Sequence, residues 1–274
     1  MEELIMSSKH NFDKATELTI QSSGVYRGQT SESYANMVGP FGGVIASTLL
    51  RAVLDHDERL GDPISLTINY AAPVANGDFK IVATPSRTNR STQHWYIELT
   101  QNEQIIITGT AVTANRRDTW SSTELSFPDV PNPDQIEPTP LDSAPPWAQN
   151  YEIRMIKGAP LAIATTDYPD SITLQWIRDN PNRDLDFLSL AAICDAFFPR
   201  IYVRRKELVP IGTISLTIYF HADAETLLAN GSRSVLGHTR ALKFFNGYFD
   251  QTGEIWSQDH NLLATTSQIV YYKS

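Results

Sequence analysis

Residues 188–198 read LSLAAICDAFF, an apolar run carrying a single carboxylate, Asp195. Ionised carboxylates are almost never buried without compensation. Either a local partner satisfies Asp195 or the protein uses it. In apolar surroundings a carboxyl pKa rises toward neutrality, which suits a general base that takes a proton from water. The plainer alternatives are a bond to a nearby backbone N–H or a place at the helix end ahead of Pro199. Cys194, beside it, is the one cysteine of the chain. A catalytic thiol needs a base or a cationic neighbour. The sequence identifies neither, so Cys194 reads as a small buried hydrophobe. Gly42 and Gly43 open a second apolar run, FGGVIASTLLRAVL. A helix starting there offers unpaired N–H groups and a positive dipole end, suited to a developing oxyanion. Equally, the two glycines allow a tight turn and close packing.

Other chemistries find little support. There is no Gly-x-Ser-x-Gly elbow and no phosphate-binding Gly-rich loop. His10, His56, His94, His221, His238 and His260 show no metal-ligand spacing. No metal and no cofactor are expected. With 22 basic against 31 acidic residues the formal charge is −9. That argues against nucleic acid or an anionic membrane as partner. One cysteine excludes a disulfide within the chain. The segment MEELIMSSKH has no apolar h-region, YYKS is not a peroxisomal address, and no run approaches a membrane span. The expected location is cytoplasmic.

The elements that would position these residues fall into two halves. Seven of the sixteen prolines lie in 128–146, in FPDVPNPDQIEPTPLDSAPPW. Such a segment is neither helix nor central strand and reads as an extended linker. The expected divisions are 10–117, linker 118–146, and 147–274. The halves resemble each other. ISLTI occurs at 64–68 and again at 214–218, 150 residues later. A helix candidate precedes each copy, at 41–54 and 186–198, and strand candidates rich in β-branched and aromatic residues follow each. In ISLTINY, Ile64, Leu66, Ile68 and Tyr70 alternate with polar residues, giving a strand with one buried face. The second helix is apolar nearly all round and must be enclosed. The first, 41–54, contains no Asp or Glu. The predicted class is α+β: a double hot-dog, with two antiparallel sheets each wrapped around a long central helix.

The order of motifs carries a family resemblance. GVYRGQT and VGPFGGVIAS in the first half, with LQWIRD, LAAICDAFFP, GTISLTIYFH and LLATTSQIVYYK in the second, resemble the acyl-CoA thioesterase II family. The resemblance spans nearly the whole chain outside the linker. It implies a double hot-dog that hydrolyses acyl-CoA. It also implies an Asp, a Thr and a Gln holding the attacking water, which fall on Asp195, Thr213 and Gln268. The chain departs from the family pattern at Val44, where a Gln is common, and in lacking His-rich starts to its central strands. An amide does not titrate, so Gln268 would orient water rather than deprotonate it. Strict alternation puts Thr213 with Ser215 and Thr217, on the face opposite Ile214 and Leu216.

The partner implied is acyl-CoA, with homo-oligomers of the double hot-dog possible. Arg116 with Arg117, or Arg204 with Arg205 and Lys206, either meet the phosphates of CoA or form solvated surface. Phe187, Phe197, Phe198, Trp176 and Trp95 either line an acyl tunnel or fill cores. Two rival readings share the scaffold: an acyl-thioester hydratase or dehydratase, and a non-catalytic acyl-CoA-binding module.

Overall fold

The computed structural model describes residues 9–160, 168–205 and 208–273; Lys206 of the YVRRK cluster lies outside them. The described helices are α1 (Asn11–Ala15), α2 (Gly42–Leu54), α3 (Phe187–Ile193), α4 (Arg200–Arg204) and α5 (Ala224–Asn230). The strands of the first half are β1 (Thr19–Ser22), β2 (Val25–Gln29), β3 (Asp62–Tyr70), β4 (Asp78–Thr88), β5 (Thr92–Gln101) and β6 (Gln104–Ala114). Those of the second are β7 (Tyr151–Lys157), β8 (Thr173–Asp179), β9 (Ile211–Phe220), β10 (Val235–Arg240), β11 (Phe244–Phe245), β12 (Tyr248–Trp256) and β13 (Leu262–Tyr272). Each half wraps an antiparallel sheet around one buried helix, the double hot-dog arrangement expected from sequence.

The two sheets are continuous. Their order is β1-β2-β4-β5-β6-β3 and then β9-β13-β12-β10-β8-β7, with β11 on β12. They join where β3 pairs β9, so the repeated pentapeptide pairs with its own copy. Thr67 lies directly opposite Thr217, their hydroxyls 3.1 Å apart. These are equivalent residues of the repeat, so a local twofold passes between them.

Beneath this junction α2 and α3 lie antiparallel. A side chain at Gly43 would begin 2.6 Å from the Ala192 carbonyl, and Ser47 Oγ donates to Leu188 O at 2.7 Å. The C-terminal end of α3 therefore meets the N-terminal end of α2. The predicted second helix ends sooner than its apolar run suggests. It stops at Ile193, and the chain turns through Asp195 N–Ala192 O and Ala196 N–Ile193 O bonds of 3.0 Å each. Pro199 disfavours helical geometry at Phe198, and a carboxylate near the end of its own helix opposes that helix dipole.

Both repeat copies carry the same irregularity. On β3 the register slips between Pro63 and Ser65, and on β9 between Thr213 and Ser215. The first isoleucine of each copy, Ile64 or Ile214, is the extra residue of a β-bulge. The alternation expected for β9 is thereby broken. Thr213 pairs Val270, which shares the buried face of β13 with Gln268. Thr213 thus joins the inner face instead of following Ser215 outward.

The linker is held by packing on both sides of the second sheet. Phe127, Val130 and Ile136 cover Trp176, Leu236 and Trp256 on the outer face, and Trp176 Nε1 donates to Pro131 O at 2.9 Å. Trp176 therefore fills a core beneath the linker. At the linker's end Trp147 is buried at the seam, stacked on Phe41 at 4.4 Å and tilted against Phe198 at 6.2 Å. Truncating a buried tryptophan costs about 3–5 kcal/mol. Trp147→Ala is expected to lose that much in urea unfolding; a change below about 1 kcal/mol would show that the seam does not depend on this stack.

Candidate active site

The site is assembled at the seam, and its parts come from both halves. Gln268 Nε2 on β13 donates to Asp195 Oδ1 at 2.8 Å. The backbone N–H of Gly43, in the first turn of α2, faces the same carboxylate and lowers its pKa. This amide is among the first four of the helix, which have no intrahelical acceptor, and it carries the positive end of the dipole. Asp195 keeps partial contact with solvent, while Ile193, Cys194, Ala196 and Phe197 around it are buried. It is therefore a half-buried carboxylate among apolar neighbours. Burial pushes its carboxyl up to about 7, against the downward pull of the Gln268 and Gly43 bonds.

Gly42 stands at the mouth. A methyl group there would meet Asp195 Oδ2 at 2.8 Å, so only glycine leaves room for the carboxylate. Gly43 is limited differently, since its Cβ would meet the Phe41 ring at 2.5 Å and Ala192 O at 2.6 Å. The close packing expected of this glycine pair is present, and the anion that the Gly43 amide faces is the Asp195 carboxylate. Tyr70 was legible only as the end of an alternating strand. Its hydroxyl donates to Gly42 O at 2.9 Å, and its pKa is raised by burial and then by the Asp195 charge. The tyrosine ties β3 to the N-terminus of α2. Thr213 shares the inner face with Gln268; among the described residues it makes no hydrogen bond to Gln268 or Asp195.

The remaining sequence candidates separate by position. Cys194 is fully buried, and its thiol is pushed up by burial and then by Asp195, as expected for an inert hydrophobe. Trp95 is buried and donates to Thr113 Oγ1 at 3.1 Å. Phe187 packs edge-on against Phe220. Phe197 and Phe198 belong to the Asp195 turn itself. Arg116 bonds Phe220 O at 2.5 Å, at the end of β9 remote from Thr213. Arg204 and Arg205 follow directly from the Asp195 turn through α4. Asp179 is also raised to about 7 by burial, but its charged neighbours are Arg183, Asp186 and Asp13. No cluster of His, Cys, Asp or Glu suited to a metal occurs among the described residues, and none of their helices is long and apolar enough to cross a membrane.

The repeat supplies no second copy of this constellation. Gln268 pairs Leu216, whose repeat counterpart Leu66 pairs Ala111. An alanine thus stands where a second glutamine would be.

Comparison with known proteins gives the family and the fold. Residues 31–114 match the model of the acyl-CoA thioesterase N-terminal domain, and residues 127–272 that of the C-terminal domain. A hot-dog-fold protein of unknown function from Alicyclobacillus acidocaldarius is 48% identical over 97% of this chain and 99% of its own, with a TM-score of 0.93. A putative thioesterase II from Thermobifida fusca YX is 18% identical over 97% and 99%, with a TM-score of 0.84. An acyl-CoA thioesterase II from Mycobacterium marinum is 16% identical over 96% and 98%, with a TM-score of 0.76. At those last two identities the likeness is one of fold. No curated protein matches the sequence.

The raised Asp195 carboxyl makes stability depend on pH. Between about pH 4 and 7 the unfolded chain releases this proton while the folded chain retains it, so wild-type stability falls as pH rises through that window. Asp195→Asn removes the term. In urea unfolding the variant should gain on wild type by about 1.4 kcal/mol per pH unit within the window and level off above it. Parallel stability profiles for the two proteins would contradict the raised carboxyl.

Proposed function

Because this chain belongs to the acyl-CoA thioesterase family, we propose that it hydrolyses an acyl-CoA thioester with water activated by Asp195, positioned with Gln268 and Thr213, and with the Gly42–Gly43 end of α2 beside the reacting carbonyl. The family is one of thioester hydrolases. The observation that carries the residue assignment is the half-buried carboxylate bonded to Gln268 at 2.8 Å, with the Gly43 amide facing it.

The steps follow from which atoms are committed. Oδ1 of Asp195 accepts from Gln268, and Oδ2, beside Gly42, takes the proton from water with its remaining lone pair. As that proton leaves, the water oxygen bonds the thioester carbon, and charge builds on the carbonyl oxygen. The N-terminus of α2 stabilises that charge. Gly43 holds the base, and Gly42, whose first-turn amide lacks a helical acceptor, stands at the carbonyl. Collapse breaks the carbon–sulfur bond, and the proton on Asp195 passes to the departing sulfur. Free acid and CoA thiol leave, and the carboxylate is restored. The carbonyl of Gln268 accepts one water hydrogen, and the Thr213 hydroxyl bonds the same water. Fixing the water in this way contributes by removing its orientational freedom.

The base must be ionised, so kcat should rise with pH through about 7 and level off above. Asp195→Asn should lower kcat about 10²- to 10⁴-fold in a free-thiol release assay over short, medium, long and aromatic acyl-CoAs. Undiminished turnover by this variant would remove the base from the mechanism.

For the CoA end we favour the α4 cluster over Arg116. Thr213 and Phe220 lie seven residues apart on β9, so Arg116 sits roughly 20 Å along the strand from the site. Arg204→Glu is expected to raise KM for acyl-CoA while leaving kcat, and to leave hydrolysis of an acyl-pantetheine thioester, which lacks the nucleotide phosphates, unchanged. Equal effects on both substrates would place the phosphates elsewhere.

A further inference from the structure

Arg200 is fully buried, and among the described residues every acceptor it meets is neutral. Its Nη1 donates to Ser171 O at 2.9 Å and Thr173 Oγ1 at 2.7 Å, its Nη2 to Phe198 O, and its Nε to Gln251 Oε1 at 2.9 Å. A buried charge without a counter-ion is costly, and an apolar side chain of similar volume would fill the space at less cost. The acceptors suggest what is gained. Phe198 belongs to the Asp195 turn, whose Ala196 carbonyl is held in parallel by Gln175 Nε2 at 2.9 Å. Gln251 lies on β12 directly opposite Gln268 on β13, and both are buried on the inner face.

A glutamine amide has two ends of nearly the same shape, so packing cannot choose between them; only hydrogen bonds can. Arg200 has no acceptor and can bond only the carbonyl end of Gln251, which turns the Gln251 N–H groups away from the guanidinium. Gln268 donates to Asp195, which leaves its carbonyl end open to a donor. Side chains directly opposite across antiparallel strands are in reach of each other.

We propose that Arg200 and Gln251 are positioning residues for the reaction: Arg200 holds the Gln251 oxygen, so the Gln251 N–H end is left for the Gln268 carbonyl directly across the strand pair, and Gln268 thereby presents N–H to Asp195; among the described residues the two amides make no direct hydrogen bond, and they act on each other as opposed dipoles. A Gln268 amide rotated by half a turn would set its oxygen against the carboxylate and repel it. The inference rests on the reading of Asp195 as the base. The titratable neighbours of that base are Cys194 on its own turn, Tyr70 from β3 and Tyr151 from β7; burial raises all three, so they stay uncharged where Asp195 ionises.

Two substitutions separate positioning from packing. Gln251→Glu keeps an acceptor for Arg200 and adds an ion pair, so the fold is retained, but it has no N–H to give. Gln251→Met has neither group. In acyl-CoA hydrolysis both should lose about 10²-fold in kcat with KM unchanged. Gln251→Glu should keep a Tm at or above that of wild type. In Gln251→Met the rise of kcat with pH should move to higher pH, because a Gln268 bond that lowers the Asp195 pKa is lost. Wild-type kcat and pH profile in Gln251→Glu, with Asp195→Asn inactive in the same assay, would overturn the relay and leave the base standing. Full activity of Asp195→Asn would remove both.

Discussion

A carboxylate surrounded by hydrocarbon must be solvated by something other than water, and the packing at the seam answers to that need for Asp195. Two donors reach it, the Gly43 amide and the Gln268 side chain. The first is available because α2 and α3 run antiparallel, so that the turn ending one helix faces the open amides beginning the other. The second is available because β13 carries Gln268 on the face that covers this turn. Neither donor cancels the desolvation. The carboxyl remains raised, which costs stability above pH 4 and leaves a base that ionises near neutrality.

This arrangement divides one candidate site between two halves that repeat the same order of elements. The glycines and Tyr70 belong to the first half, the acid, the threonine and Gln268 to the second. The counterpart of Gln268 is Ala111, and α2 has no acid to match Asp195. The paired copies of ISLTI fix the relation of the halves through the β3–β9 ladder. Trp147 then closes the seam from the linker side by stacking on Phe41, the residue that caps α2. The residue that directly follows the Pro-rich connector is therefore packed behind the glycine pair, through the Phe41 ring.

Much of this was legible in the chain. The repeat at 64 and 214, the FGG start of α2, the Pro-rich seam and the lone acid in an apolar run are local signals, each readable from composition or period. They sufficed for a double hot-dog with its acid at the second helix. Local signals failed where a partner far along the chain decides. The face of Thr213 depends on a bulge defined only by pairing with β13, more than fifty residues later. The end of α3 reflects where Asp195 finds donors, one of them 73 residues away. Tyr70, Gln251 and Arg200 gave no usable signal, because a tyrosine or glutamine in a strand is ordinary and a lone arginine reads as surface.

The amino-acid sequence by itself determined the elements, their order and the presence of two copies, because periodicity and turn chemistry act over a few residues. Tertiary structure alone decided which groups meet Asp195, which face Thr213 joins and where the buried Arg200 directs its donors. Those outcomes are fixed by hydrogen bonds between distant strands and helix ends, whose geometry exists only once the halves have closed on each other.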